Sequence, residues 1–329
     1  MTYIIFFLIT TILHLLLLNN AKKIANYLDL NDEPDNVRKF QHQPIPLIGG
    51  IIIFLVLLLN LFFFKFSDSY FTKDNFIYFL VIVTLIGLAD DKYDLSANFK
   101  FLLTIFVFFV YFYTDKNLVI NELRFSSFTY IQNIHEIISI PVTILCCLLL
   151  TNSINMIDGK NGLCATIQII ILLFLAYYIL KQNYIDNGEI NLKNEKLILI
   201  FLYSCFLLIF LFFNLKGLVF LGDTGTYLGS FIIIYLILGT YSKNNLLLNC
   251  EQIFFLLILP GIDMLRVFIY RMINKKNPFK ADNEHFHNLL EIKFDNHKKI
   301  TFIIGLSLFI PNLMINLYPT HMLIFLIIY

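Results

Sequence analysis

Four short polar strings interrupt an otherwise apolar sequence, and their residue types define the chemistry open to it. The first, Gly87-Leu-Ala-Asp90-Asp91-Lys-Tyr-Asp94-Leu95, sets two adjacent carboxylates, and a third three residues on, at the end of an apolar run. Charge at the end of a membrane helix is costly, and carboxylates kept there suit a divalent cation or a phosphate-bearing ligand; the plain alternative is a solvated helix end. The second, Thr151-Asn152-Ser-Ile-Asn155-Met-Ile-Asp158-Gly159-Lys-Asn161-Gly162-Leu163, repeats Asn152, Asn155 and Asp158 every three residues. On a helical turn that spacing brings three oxygen-bearing side chains near one face. Carboxamide and carboxylate oxygens are the hard ligands Mg2+ prefers, and Gly159 and Gly162 let backbone approach a ligand closely. An ordinary polar cap accounts for one such residue, hardly for the whole string.

The third string is Asn214-Leu-Lys-Gly217-Leu-Val-Phe220-Leu221-Gly222-Asp223-Thr224-Gly225-Thr226. Asp223 falls between glycines at a helix start, where free N–H groups and the helix dipole favour an anion while the carboxylate holds the metal that neutralises it. Phe220 is a candidate base-stacking platform, against the bland reading of apolar packing. The fourth lies after the ninth apolar run: Pro260, Asp263, Arg266 and Arg271, then Asn277-Pro278-Phe279-Lys280-Ala-Asp282-Asn283-Glu284-His285-Phe286-His287-Asn288. His285 and His287 have the look of a zinc pair, but no Cys and no third well-spaced His join them, and cationic and imidazole groups together suit phosphate oxygens better.

The elements that must position these strings are apolar. Of 329 residues 58% are hydrophobic and 14% charged, with a mean hydropathy of +0.76, whereas soluble domains average about 25% charged residues. That excludes a soluble globular protein. The 24 Lys+Arg and 23 Asp+Glu nearly cancel, leaving no basic surface for nucleic acid, and 36 Phe with 18 Tyr exclude disorder. A spanning helix needs about 20 mostly apolar residues. Eleven runs approach that length: 2–19, 45–64, 75–89, 99–113, 137–153, 162–180, 196–213, 224–241, 252–270, 299–313 and 317–329, the last being short. No barrel-type alternation is sustained, so the chain reads as an all-α polytopic membrane protein of about ten or eleven transmembrane helices, forming one domain over 1–329. The run at 2–19 lacks a basic leader and a small-residue cleavage site and reads as the first span. Cys146, Cys147, Cys164, Cys205 and Cys250 read as small apolar fillers, with no disulfide framework and no thiolate metal site.

With eleven spans the connecting segments alternate between two sides, and 16 of the 24 basic residues fall on one of them. By the positive-inside rule that side is cytoplasmic and the N-terminus is outside. All four polar strings fall on the same side. Carboxylates for a divalent metal and cationic or imidazole groups for phosphates, gathered on one membrane face, point to phosphoryl chemistry between a cytosolic nucleotide and a lipid.

With these strings in place the chain resembles the polyprenyl-phosphate N-acetylhexosamine-1-phosphate transferase family (glycosyltransferase family 4). The resemblance runs over nearly the whole length. It is carried by Asp35-Asn36 to Arg38-Lys39 with Pro46 and Gly49-Gly50, by Asp90-Asp91-x-x-Asp94, by Asn152-x-x-Asn155-x-x-Asp158-Gly159-x-x-Gly162-Leu163, by Phe220-x-Gly222-Asp223-x-Gly225 and by His285-x-His287. The resemblance implies helices around a cytoplasm-facing cleft, Mg2+ with Mn2+ as a substitute, a UDP-N-acetylhexosamine donor and an undecaprenyl phosphate acceptor, with UMP released. Residue by residue, it implies that Asp90 and Asp91 handle the acceptor phosphate, Asp91 nearer the metal, and that Asp223 is the principal metal ligand with Asn155 as its neutral partner. Asp158, Gly159, Asn161, Asn214 and Phe220 resemble the nucleoside pocket. His285 and His287 resemble the loop gripping the diphosphate or sugar, with Arg266 and Arg271 assisting. A homodimer is compatible with this reading.

The expected reaction is attack of a lipid phosphate oxygen on the β-phosphorus of the UDP-sugar, with Asp90 mainly orienting the acceptor; its rival is a two-step route through an aspartyl intermediate. The chain departs from the family pattern at Asn283 and Asn288, where an Arg and a second consecutive His are usual, and at Gln41, with His42 one place late. These departures bear on the sugar before the reaction. The strings Asn-Pro-Phe-Lys-Ala-Asp and Pro260-x-x-Asp263-x-x-Arg266 favour simple UDP-N-acetylhexosamines or deoxy relatives over the peptide-bearing donor of phospho-MurNAc-pentapeptide transferase. A transporter would place its acids within helices and show repeated halves, which this sequence does not.

Overall fold

The computed structural model describes residues 2–34, 43–63, 73–125, 130–188, 191–241, 248–275, 284–294 and 296–318. They form an all-α polytopic membrane protein. In chain order the helices are α1 (Thr2–Asn19), α2 (Ala21–Leu28), α3 (Gly49–Phe63), α4 (Lys73–Tyr93), α5 (Ala97–Thr114), α6 (Glu136–Met156), α7 (Leu163–Asn187), α8 (Glu195–Asn214), α9 (Gly222–Tyr241), α10 (Cys250–Leu256), α11 (Ile258–Ile273), α12 (Phe286–Glu291) and α13 (His297–Leu317). Two short antiparallel pairs join them, β1 (Asn31–Asp32) with β2 (Ile45–Pro46) and β3 (Glu122–Phe125) with β4 (Tyr130–Asn133).

Ten of the eleven apolar runs appear as helix, and the run 317–329 lies almost wholly outside the described residues. Seven of these helices are long and apolar enough to cross a bilayer unaided. Three runs differ in ways that have physical reasons. Helix α3 is 15 residues long; α4 has charged residues at both ends of its apolar stretch; and the run 252–270 is no single span but α10 and α11, bent by 74° at Leu257. Pro260, which has no N–H to give the preceding turn, sits just beyond that break.

Helix α9 is the centre of the bundle. Every residue of it from Thr224 to Tyr241 is buried, and Asp223 is the one side chain near its start left partly open. Lipid offers no hydrophobic drive for one apolar helix to seek another, so close approach through small residues and hydrogen bonds between helices must do that work. Both are present. A Cβ at Gly50 of α3 would stand 2.2 Å from the Gly225 nitrogen, and one at Gly87 of α4 would stand 2.4 Å from the Asp223 carbonyl oxygen. Within the bilayer region Asn60 Nδ2 donates to Thr10 Oγ1 (2.9 Å), joining α3 to α1, and Tyr203 Oη donates to Gln168 Oε1 (2.6 Å), joining α8 to α7.

The far end of α9 is capped by cations. Lys196 Nζ donates to the Gly239 carbonyl and the Arg124 guanidinium to the Tyr241 carbonyl, with Arg124 also 4.2 Å above the Tyr241 ring. Positive charge at a helix C-terminus offsets the negative end of the dipole. Gly50→Val and Gly87→Val should each lower the apparent Tm of the detergent-extracted protein through an overpacking cost of about 1–3 kcal/mol. Gly261→Ala, where a Cβ meets nothing within 4 Å, should leave it unchanged. Thermal unfolding followed by size-exclusion chromatography reads the difference, and equal Tm values would remove these two contacts from the account.

Candidate active site

The site is assembled where the end of α4 meets the start of α9. The Asp91 carboxylate accepts hydrogen bonds from the Asp223 N–H (2.8 Å), the Thr224 N–H (2.9 Å) and the Thr224 hydroxyl (2.6 Å). It is an N-cap supplied from another helix. Gly222 makes room for it: its φ is +72°, and a Cβ there would lie 2.7 Å from Asp91 Oδ2. The free N–H groups expected at this helix start are therefore already taken by an internal anion. Oδ1 takes one of these bonds and Oδ2 two, so the Asp91 carboxylate fixes the start of α9 and with it the position of Asp223.

Asp90 turns the other way. Its Oδ1 accepts the Leu95 N–H (3.0 Å), its Oδ2 is paired with the Lys100 ammonium, and Lys100 Nζ is also 2.7 Å from Asp223 Oδ2. Lys100 thus bridges two carboxylates that are 133 positions apart in sequence, Asp90 and Asp223. Sequence reasoning passed over this lysine, counting it only toward sidedness. The signal was there: a charged residue in the first turns of an apolar helix is the same anomaly that singled out Asp90. The third carboxylate of the string does not join, because Asp94 has a φ of +47° and is exposed.

The electrostatics follow from crowding. Beyond the apolar stretch of α4, burial and the Asp223 charge push the Asp90 carboxyl upward against the pull of Lys100. Burial and Asp223 push Asp91 up to about 6, while the hydrogen bonds from Thr224 and Asp223 pull it down. Burial, then Asp223 and Asp91, push Asp158 up to about 8. Asp223 itself, ahead of the apolar run 224–241, is held low against its burial by its hydrogen bonds and by Lys100, so the crowd shares its charge unevenly, and a cation placed among these carboxylates gains free energy.

The loop after α6 forms the next wall. Asn155 Nδ2 donates to Thr226 Oγ1 (3.0 Å), and its carboxamide helps hold the Asp223 carboxyl below the usual range. Asp158 and Asn161 are half-buried, and the Asn161 carbonyl accepts the Thr301 hydroxyl (3.0 Å). Asn214 is buried and fully employed: its Oδ1 accepts the Gly162 N–H and its Nδ2 donates to the Val219 carbonyl (2.7 Å). It ties the loop before α7 to the loop before α9. Phe220, half-buried, is fixed through its backbone. Its N–H donates to the Pro46 carbonyl (2.8 Å), its carbonyl accepts the Gly49 N–H (3.0 Å), and Gly50 N–H continues the ladder to Leu221 (2.9 Å).

The histidines are delivered by Asp263. This buried carboxylate is 3.0 Å from His285 Nδ1, accepts the Phe286 N–H (3.0 Å) and pairs with Arg266 (2.8 Å), which also donates to the Glu284 carbonyl. The His285 and His287 rings lie parallel, 3° apart, with centroids 5.7 Å apart. His287 rests on Gly159, where a Cβ would stand 2.2 Å from its Nε2, and Lys160 pairs with Glu291 (2.6 Å) to hold α12 there. Desolvation pulls His287 down to about 3, so at neutral pH it is an uncharged imidazole, and its buried Nδ1 has no partner. Arg266 and Arg271 separate here: the first organises the loop, and the second is buried at 1% exposure within α11. Asp35, Asn36, Arg38, Lys39, Gln41, His42 and the stretch Asn277 to Asn283 lie outside the described residues. Among the described residues no group of three His, Cys, Asp or Glu is arranged to hold a metal on its own.

The glycosyl transferase family 4 model matches residues 75–240, half of the chain and the whole stretch from α4 to α9 that builds this site. The chain belongs to glycosyl transferase family 4. A family 4 member is a transferase, and similar curated proteins point the same way. The chain is 28% identical over 93% of its length to a probable undecaprenyl-phosphate N-acetylglucosaminyl 1-phosphate transferase of Bacillus subtilis, covering 82% of that protein. It is 27% identical over 86% of its length to the undecaprenyl-phosphate alpha-N-acetylglucosaminyl 1-phosphate transferase of Escherichia coli, covering 74% of it, and 26% identical over 86% to the Thermotoga maritima protein of the same name, covering 80%.

The two adjacent aspartates should separate in stability. Asp91→Ala strips the start of α9 of its cap and should lower the apparent Tm, at a cost of about 1–2 kcal/mol. Asp90→Asn relieves carboxylate crowding and should leave the Tm equal or higher. The same thermal assay decides it, and the reverse order would show that Asp90, not Asp91, secures the helix.

Proposed function

We propose that this family 4 protein transfers N-acetylhexosamine 1-phosphate, with N-acetylglucosamine as the sugar, from a UDP donor to undecaprenyl phosphate in a bacterial plasma membrane, as the first step in building a cell-envelope polysaccharide. The observation that carries the reading is the Asp90–Lys100–Asp223 constellation beside Asp158 and the uncharged His287. The names of the relatives supply the sugar and the lipid. The excess of basic residues on the same side supports a cytoplasmic opening, where UDP-sugars are found.

In this reading a phosphate oxygen of the lipid attacks the β-phosphorus of the donor. The bond from that phosphorus to the bridging oxygen breaks, and UMP departs with the electron pair, leaving a lipid diphospho-sugar. Asp90 orients the acceptor phosphate and takes at most one proton from it. Lys100 exchanges its carboxylate partners for phosphate oxygens as the substrates arrive. Asp91 keeps its helix-start role throughout, which argues against Asp91, though not Asp90, as the nucleophile of a two-step route. His287 offers one N–H and one lone pair to the diphosphate or sugar, and Asp158 lies beside it on the nucleoside side.

The donor set fits Mg2+. Asp223 and Asn155 are hard oxygen ligands next to each other, Asp90 faces them, and Lys100 already marks the spot as one that takes up positive charge. When bound there, Mg2+, or Mn2+ in its place, supplies charge neutralisation on the diphosphate.

Purified protein in detergent with undecaprenyl phosphate, Mg2+ and a panel of UDP-sugars, including the peptide-bearing donor, should release UMP with UDP-N-acetylglucosamine. Asp223→Ala should lower that release by at least about a hundredfold and Lys100→Ala by at least about tenfold. EDTA should abolish it and added Mg2+ restore it. No UMP from any donor, with Asp223→Ala behaving as the parent does, would sink the reading.

A further inference from the structure

The break between α10 and α11 leaves a main-chain carbonyl without its helical partner in the bilayer region, where an unsatisfied carbonyl is expensive. Phe255 is fully buried, and its carbonyl would pair with the Leu259 N–H in an unbroken helix. Instead the chain turns through 74° at Leu257, and the Phe255 carbonyl accepts a hydrogen bond from Asn312 Nδ2 (2.8 Å). Asn312 comes from the far half of α13 and is itself 1% exposed. Its Nδ2 also donates to the Leu308 carbonyl (2.9 Å), so two carbonyls determine which way the carboxamide faces. Polar groups of this kind are what let a membrane helix break without an unpaired carbonyl.

The arm beyond the break is the one that matters for the site. Asp263 lies in the second turn of α11 and holds His285, the Phe286 N–H and Arg266. The direction of α11 therefore sets where the histidine loop meets Gly159. We propose that Asn312 is a positioning residue: by satisfying the carbonyl freed at the break it fixes the bend of α11, and through Asp263 it sets the placement of His285 and His287. Asn312 touches none of the groups assigned to substrate. Its effect travels through the angle between two helix segments, and Asn312→Leu, which keeps the volume and removes the donor, separates that effect from simple packing.

Two measurements test this, the second resting on the transferase reading and the first independent of it. Spin labels at the lipid-facing positions Phe254 and Ile269, one on each side of the break, report the bend as a distance distribution. In the otherwise unaltered protein the distribution should be narrow, in Asn312→Leu broader or shifted to longer distance, and in Asn312→Gln, which keeps the donor, close to the parent. Should the Leu variant fail to accumulate, Asn312→Ala removes the same donor in a smaller volume and gives the same readout. A parental distribution in the Leu or Ala variant overturns the proposal. The second measurement is a double-mutant cycle on UMP release. Asn312→Leu should lower release about tenfold, the scale of one lost buried hydrogen bond, and should add nothing in an Asp263→Asn background. Independent, multiplying losses would mean that Asn312 acts on general stability and would overturn the route through Asp263. A parent that releases no UMP would count against the transferase reading alone, since the distance measurement stands without it.

Discussion

The start of α9 is the joint on which the molecule depends. A helix buried along its whole length in an apolar bundle cannot leave its terminal N–H groups to water, and here two of them are met by the carboxylate of Asp91 from α4. That one arrangement has several dependents. It brings Asp223 to the edge of the cleft, it requires the left-handed turn at Gly222, and it draws α4 so close that only glycine fits at position 87. At the other end Lys196 and Arg124 answer the dipole with charge of the opposite sign. The helix is held like a strut between an acid and two bases.

Around that strut the site divides into groups that face the cleft and groups that hold those groups in place. Asp90, Lys100, Asp223, Asp158 and His287 carry the unusual electrostatics. Asp91, Asn214 and Asp263, with the more open Arg266, spend their hydrogen bonds on backbone, on one another, on the Thr224 hydroxyl and on His285. The economy of charge in the sequence is consistent with this: a chain with 14% charged residues sets its buried ones against counter-charges or hydrogen-bonding groups.

Much of the fold was legible because the bilayer imposes a length and an apolarity that local sequence must satisfy. The runs 2–19, 99–113 and 196–213 became α1, α5 and α8 with ends within a few residues. The site strings were legible for the converse reason, that polar residues at such places are costly. What escaped was what depends on the third dimension. Asp90 and Asp91 look equivalent as neighbours, yet successive residues on a helix diverge by about 100°, so one meets α9 and the other the cleft. Lys100 looked like a loop charge until α5 was set beside α9. Asn214 gave no sign in the sequence of the two loops it joins. The bend at Leu257 was hidden inside a run whose hydropathy is continuous across it.

The Lys100 bridge has a consequence for how the protein lives between turnovers. With one ammonium set against two carboxylates, the negative charge of the cleft is partly balanced before any nucleotide or cation enters it. The same balance sets a toll on occupancy, since an arriving phosphate must win the lysine away from acids that already hold it. Occupants so taxed are held less tightly and let go sooner, which suits a catalyst whose nucleotide product must diffuse back to the aqueous phase while its lipid product slides away in the membrane.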